Sequence, residues 1–135
     1  MKTSEFMLGD YLCVWPWPSM MPIRVAAIHR RKVGYHACID KLSWVRVDLL
    51  RPIPLTKDIL AKIGFEPFIA GQMLWNKSKD FVVTVMPDLS TCPNSEHRCL
   101  VGIRNGYTDA KIALDYLHEL QNALRICGIK EEIEI

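Results

Sequence analysis

The chain has no apolar run approaching the roughly 18 residues that a membrane-spanning helix requires. Its start, MKTSEFMLGDY, lacks the apolar stretch that follows the basic end of a secretory signal. A soluble, cytoplasmic protein with no membrane partner is therefore expected. The five cysteines, Cys13, Cys38, Cys92, Cys99 and Cys127, are odd in number and scattered, which argues against a secreted disulfide framework and for small buried hydrophobes. No CxxC pair is present, so the paired geometry of structural zinc sites is missing. The seven glycines match neither the dinucleotide-binding nor the P-loop spacing, which removes the common nucleotide-binding readings. No cofactor is expected.

What is present is enough for one modest core. Half of the 135 residues are apolar, which suits a single core or two small subdomains sharing one. The formal charge of +2 hides an asymmetry: residues 1–52 hold eight Lys/Arg against four Asp/Glu, and residues 53–135 hold nine against eleven. The basic character concentrates in His29, Arg30, Arg31 and Lys32. That is a local patch rather than a nucleic-acid-binding composition.

Residues 1–52 read as short strands divided by turn signals. FMLGDYLCV alternates around Gly9-Asp10, a turn or bulge; WPWPSMMP cannot be a central strand because of Pro16, Pro18 and Pro22. IRVAAI is a strand, RRK a basic turn, and VGYHACID a further strand. LSWVRVDLL sets Leu42 and Trp44 on one face and Val45 and Val47 on the other. Strands this short must close on one another, and an SH3-like small β-barrel is expected.

Pro52 and Pro54 change the regime. Thr56 is a good N-cap, Leu55 and Leu60 form a hydrophobic staple, Asp58 suits the first turn, and Gly64 supplies a left-handed stop with Phe65 folding back toward Leu60. QMLWN (72–76) and DFVVTVM (80–86) then read as a hairpin, and CLVGI (99–103) as a third strand. Asn105-Gly106 is a turn leading into a final helix of about nineteen residues, from Thr108 or Asp109 to Cys127. That helix aligns Ala110, Ala113, Leu117, Leu120, Leu124 and Cys127 on a sheet-facing stripe. His118, Asn122 and Arg125 fall on the opposite, wet face with Lys111, Asp115 and Glu119, and Gln121 lies at the stripe's margin, where a buried amide needs hydrogen-bond partners. The expected fold is α+β: a barrel-like subdomain over 1–52, then an α-β-β-β-α subdomain over 53–135 sharing its core, with the last helix packed on a three-stranded antiparallel sheet.

LGDYLCV, RPIPLTKDILAKIGF and YLHELQNALRICGI, in that order, resemble a family of small uncharacterised bacterial proteins found in phage and mobile-element contexts of gut anaerobes. Its members show an LRxGNxV-like start, a central IPLTxxxLxxxGF helix and a terminal VHxLQNLxxxLTG helix. This chain has Gly9-Asp10 for Gly-Asn, an unusual WPWP segment, and Cys127-Gly128 for Thr-Gly. The resemblance implies the order of elements and a mobile-element origin, and it carries over no catalytic residue.

Sites of chemistry are thin. CPNSEHRC holds Cys92, Glu96, His97 and Cys99, but Cys-x4-His-x-Cys is not a usual ligand spacing, and a surface loop is the better account. His36 and Cys38 share a strand face without a third, orienting residue, which weakens a thiol-enzyme reading. Glu131 and Glu132 read as a solvated charge run. A non-enzymatic, metal-free binding or accessory protein is expected. Trp15, Trp17, Arg24, Arg30, Arg31 and Lys32 are candidates to stack bases and neutralise phosphates. The same residues can instead serve a protein partner, with WPWPSMMP as an apolar contact or a self-association loop. His118, Asn122 and Arg125 are a second candidate partner-facing set.

Overall fold

A computed structural model describes residues 8, 10–14, 23–31, 34–39, 43–75, 81–86, 99–106, 108–130 and 133, with the backbone alone at 14, 26–31, 34–39, 43, 44, 46, 47, 70 and 108. The chain divides into two units, Met1–Ile53 and Pro54–Ile135.

In the first unit, β1 (Tyr11–Val14), β2 (Ile23–Arg31), β3 (Gly34–Ile39), β4 (Ser43–Arg46) and β5 (Leu50–Pro52) form one antiparallel sheet in the order β4-β3-β2-β1-β5. A 3-10 turn, Val47–Leu49, links β4 to β5. Pro52 is tolerated because β5 lies at the sheet's end, where one side of the strand has no ladder partner among the described residues. Leu12, Ile23, Val25 and Leu50 are buried and make the core of this unit with Cys13 and Ile53. The expected closure into a barrel is not found among the described residues: β4 and β5 terminate an open sheet, because β5 returns to pair with β1 and not with β4. The basic turn is also corrected, since β2 runs through His29, Arg30 and Arg31, with Arg31 opposite Gly34. Asp10, expected in a turn or bulge, is fully buried beside β1, and its carbonyl accepts the Val25 N–H at 3.1 Å.

The second unit opens with α1 (Lys57–Lys62), only six residues long, so its ends decide whether it forms. Thr56 accepts the Ile59 N–H at its side chain. At the other end the Phe65 N–H reaches the Leu60 carbonyl (2.9 Å) and the Gly64 N–H that of Ala61 (3.2 Å), the paired bonds of a Schellman stop. Leu55, Leu60, Ile63 and Phe65 are buried.

A five-stranded antiparallel sheet follows, ordered β10-β9-β8-β7-β6, from β6 (Glu66–Pro67), β7 (Met73–Trp75), β8 (Phe81–Met86), β9 (Cys99–Asn105) and β10 (Thr108–Leu114). The expected β7–β8 hairpin is present, with Met73 opposite Val85 and Trp75 opposite Val83. One face holds Met73, Trp75, Phe81, Val83, Val85, Cys99, Val101 and Ile103, all buried. Phe65 stacks on Trp75 at 5.7 Å between centroids, and Phe81 leans on it at 5.4 Å.

The long final helix is overturned in its first half. Residues 108–114 are strand β10, and α2 is Leu117–Ile126. The reason is Gly106, the first central residue of a two-residue hairpin loop, a position that needs positive φ. Gly106 has φ +59° and Asn105 lies opposite Thr108, so the chain reverses in two residues and the next seven continue the β9 ladder. Exposure alternates accordingly, with Asp109, Lys111 and Ala113 exposed, Ala110 and Ile112 half-buried and Leu114 buried. The sheet thus gains two strands over the expected three. Leu117, Leu120 and Leu124 of α2 are buried, and the helix ends in a second Schellman stop at Gly128. Asn105 also donates from Nδ2 to the Cys127 carbonyl (2.8 Å), tying the hairpin to the end of α2.

Candidate partner-binding surface

The outer face of the second sheet can be built from its register. Met86, Leu100 and Ala113 stand side by side on β8, β9 and β10 and form an apolar row. The next row carries Leu74, Thr84, Gly102 and Lys111, and the third carries Val82, Arg104 and Asp109. Leu100 is 39% exposed. A Cβ at Gly102 would lie 2.9 Å from the Thr84 hydroxyl, so a side chain there would force Thr84 to shift. The charged row holds a weak Arg104–Asp109 contact of 3.7 Å between well-exposed side chains.

A second apolar feature lies between β6 and β7. Phe68 is 49% and Ile69 67% exposed, although the backbone around them is fixed: the Phe68 N–H donates to the Gln72 carbonyl (2.8 Å) and the Gln72 N–H to that of Ile69 (3.1 Å). Two adjacent large side chains held out to solvent on a bonded turn form the kind of anchor that protein interfaces use. The sequence reading missed this pair and the Met86–Leu100–Ala113 row. Nothing local marks Phe68-Ile69 as exposed, and the row exists only once residues 108–114 pair with β9 as a strand.

The sequence-derived candidates are dispersed. Trp15, Trp17 and Lys32 lie outside the described residues. Arg24 sits on β2 opposite Tyr11, with its guanidinium 5.7 Å from that ring's centre, a cation–π contact. Arg30 and Arg31 are further along the same strand, separated from Arg24 by roughly 20 Å of extended chain. The structure therefore does not bring Arg24 to the basic end of the hairpin. On α2, His118 is 5% exposed and not on a wet face, and its ring stacks on that of Tyr116 at 5.9 Å and 13°. Asn122 is half-buried and accepts from the exposed Arg125 at 2.8 Å. Gln121 is buried, as its place at the stripe's margin suggested.

Cysteine chemistry is subdued. The Cys13 thiol donates to the Arg51 carbonyl (3.4 Å) and the Cys99 thiol to that of Leu55 (3.5 Å). Burial pushes the Cys13 thiol up, partly offset by the Arg51 charge. Since the thiolate is the nucleophile, a raised pKa and a buried sulfur both slow alkylation. Iodoacetamide on the native protein is expected to modify half-buried Cys127 well before Cys13 and Cys99, as read by peptide mass spectrometry; equal rates would contradict this burial order. Cys92, Glu96 and His97 lie outside the described residues, as do the side chains of His36 and Cys38. Among the described residues no group of three His, Cys, Asp or Glu is placed to hold a metal, and no helix is long and apolar enough to cross a membrane.

No protein family matches the chain, and no curated protein or solved structure does so either.

Proposed function

We propose that this is a non-enzymatic protein-interaction or accessory protein of a bacterial phage or mobile element. The mobile-element part rests on the motif resemblance in 53–65 and 116–129. The exposure of Phe68 and Ile69 on a backbone-bonded turn carries the interaction part. An exposed aromatic–aliphatic pair loses water on association without an ordering cost in the loop. A small open β-sheet ordered β4-β3-β2-β1-β5, with a 3-10 turn before the last strand, supports an SH3-like arrangement in the first unit.

The test is capture of partners from the native host by the full chain, beside a Phe68→Asp/Ile69→Asp variant and a Leu100→Asp variant. A protein retained by the wild type and by Leu100→Asp, but lost with the Phe68→Asp/Ile69→Asp variant, is the expected result. Equal capture by all three forms would remove the Phe68–Ile69 turn as the contact.

A nucleic-acid-binding reading has one supporting observation: β2 carries Arg30 and Arg31 to its end, with Arg31 opposite Gly34, and Lys32 follows them directly in the sequence. Replacing these three by Ala should abolish a salt-dependent mobility shift with DNA or RNA, and absence of any shift at low salt would eliminate this reading.

A further inference from the structure

β10 is the last strand of its sheet, and among the described residues it pairs on one side only, with β9. The two-residue connection fixes which backbone groups look outward. With Asn105 and Thr108 as the closing pair, positions 108, 110, 112 and 114 exchange hydrogen bonds with β9. The N–H and C=O groups of Asp109, Lys111 and Ala113 therefore line the free edge. Their side chains are exposed on the sheet's outer face.

We propose that this edge pairs with β10 of a second copy of the chain, antiparallel about a two-fold axis at Ala110, so that two five-stranded sheets become one. The inference concerns the edge of the sheet and stands apart from the Phe68–Ile69 turn. Its register follows from charge. Outward-pointing residues must meet outward-pointing residues, which leaves few alignments. Centring on Asp109 or on Lys111 sets like charges directly opposite, which is unfavourable. Centring on Ile112 sets Lys111 against Ala113 and Asp109 toward Asp115, which pairs neither charge with its opposite. Centring on Ala110 sets Asp109 of each copy against Lys111 of the other, twice by symmetry, with the backbones exchanging both hydrogen bonds at each such pair. A lysine in mid-strand normally discourages pairing at an open edge. Here the aspartate two residues away makes the same lysine select one partner and one register. The small Ala110 at the axis lets the strands approach to the roughly 4.5 Å expected between Cα atoms of a non-hydrogen-bonded pair.

The experiment is light scattering of the full chain across a dilution series, with circular dichroism to verify folding; all the substituted positions are exposed or half-buried on the strand. Wild type should show a concentration-dependent dimer. D109K and K111D should each weaken it by roughly tenfold, since each puts like charges opposite at two places. The D109K/K111D exchange should restore it, because the opposition is re-created with signs reversed. A110C should form, on mild oxidation, a disulfide joining position 110 of both copies, a separation within disulfide reach. A wild type that stays monomeric at the highest concentration overturns the proposal. So does a double exchange no better than either single change, or cross-linking of A110C that spares position 110.

Discussion

Trp75→Ala is expected to lower the unfolding free energy by about 3–5 kcal/mol, the range for removing a buried large aromatic. Trp75 is 1% exposed at the end of β7, stacked on Phe65 and leaned upon by Phe81. Phe65 follows the α1 stop directly and Phe81 opens β8. One indole therefore joins the helix, its exit and the hairpin, and no neighbour can fill its volume without leaving its own contacts. The loss is a large share of the roughly 5–15 kcal/mol that holds a domain together. Trp75→Phe keeps a ring between the two partners and should lose less than half as much. Urea unfolding followed by far-ultraviolet circular dichroism checks both, since that signal does not depend on the indole removed. A Trp75→Ala midpoint within error of wild type would show that the three rings do not act as the centre of this core.

Gly64→Val should be the next most damaging single change, by about 2–3 kcal/mol. Gly64 has φ +101°, a region that excludes β-branched side chains. Moving it out of that region breaks the Gly64–Ala61 and Phe65–Leu60 bonds together. The consequence reaches past the helix end, because Phe65 would lose the position from which it stacks on Trp75. Gly64→Asn, the residue that best tolerates positive φ after glycine, should cost about 1 kcal/mol. The urea midpoints should therefore rank wild type, Asn, Val; an Asn variant as damaged as Val would shift the explanation from backbone conformation to loss of space.

The elements read correctly from sequence share a short range of cause. Thr56, Gly64 and Gly128 act on backbone groups within a turn of themselves, so α1 and the end of α2 were legible. The β7–β8 hairpin was legible because its alternation is strong on both strands. The errors have longer-range causes. TDAKIALD fits a helical stripe and a half-exposed strand almost equally, and only its pairing along β9 selects the strand. His118 falls opposite the leucines on a helical projection, yet Tyr116 stacks against its ring and the side chain is buried. Phe68 and Ile69 look like core residues by type, and their exposure depends on how β6 turns into β7.

By itself the sequence determined the α+β class, the α1 and α2 stops, the breaks at Pro52 and Pro54 and the absence of the common cofactor motifs. These depend on backbone conformations and hydrogen bonds that a residue makes with near neighbours, so residue identity is sufficient. Tertiary structure alone decided that residues 108–114 form an edge strand, that His118 is interior, and that apolar side chains face solvent at Phe68, Ile69 and Leu100. Burial and strand pairing are properties of two surfaces meeting, and the second surface is contributed by residues distant in the chain.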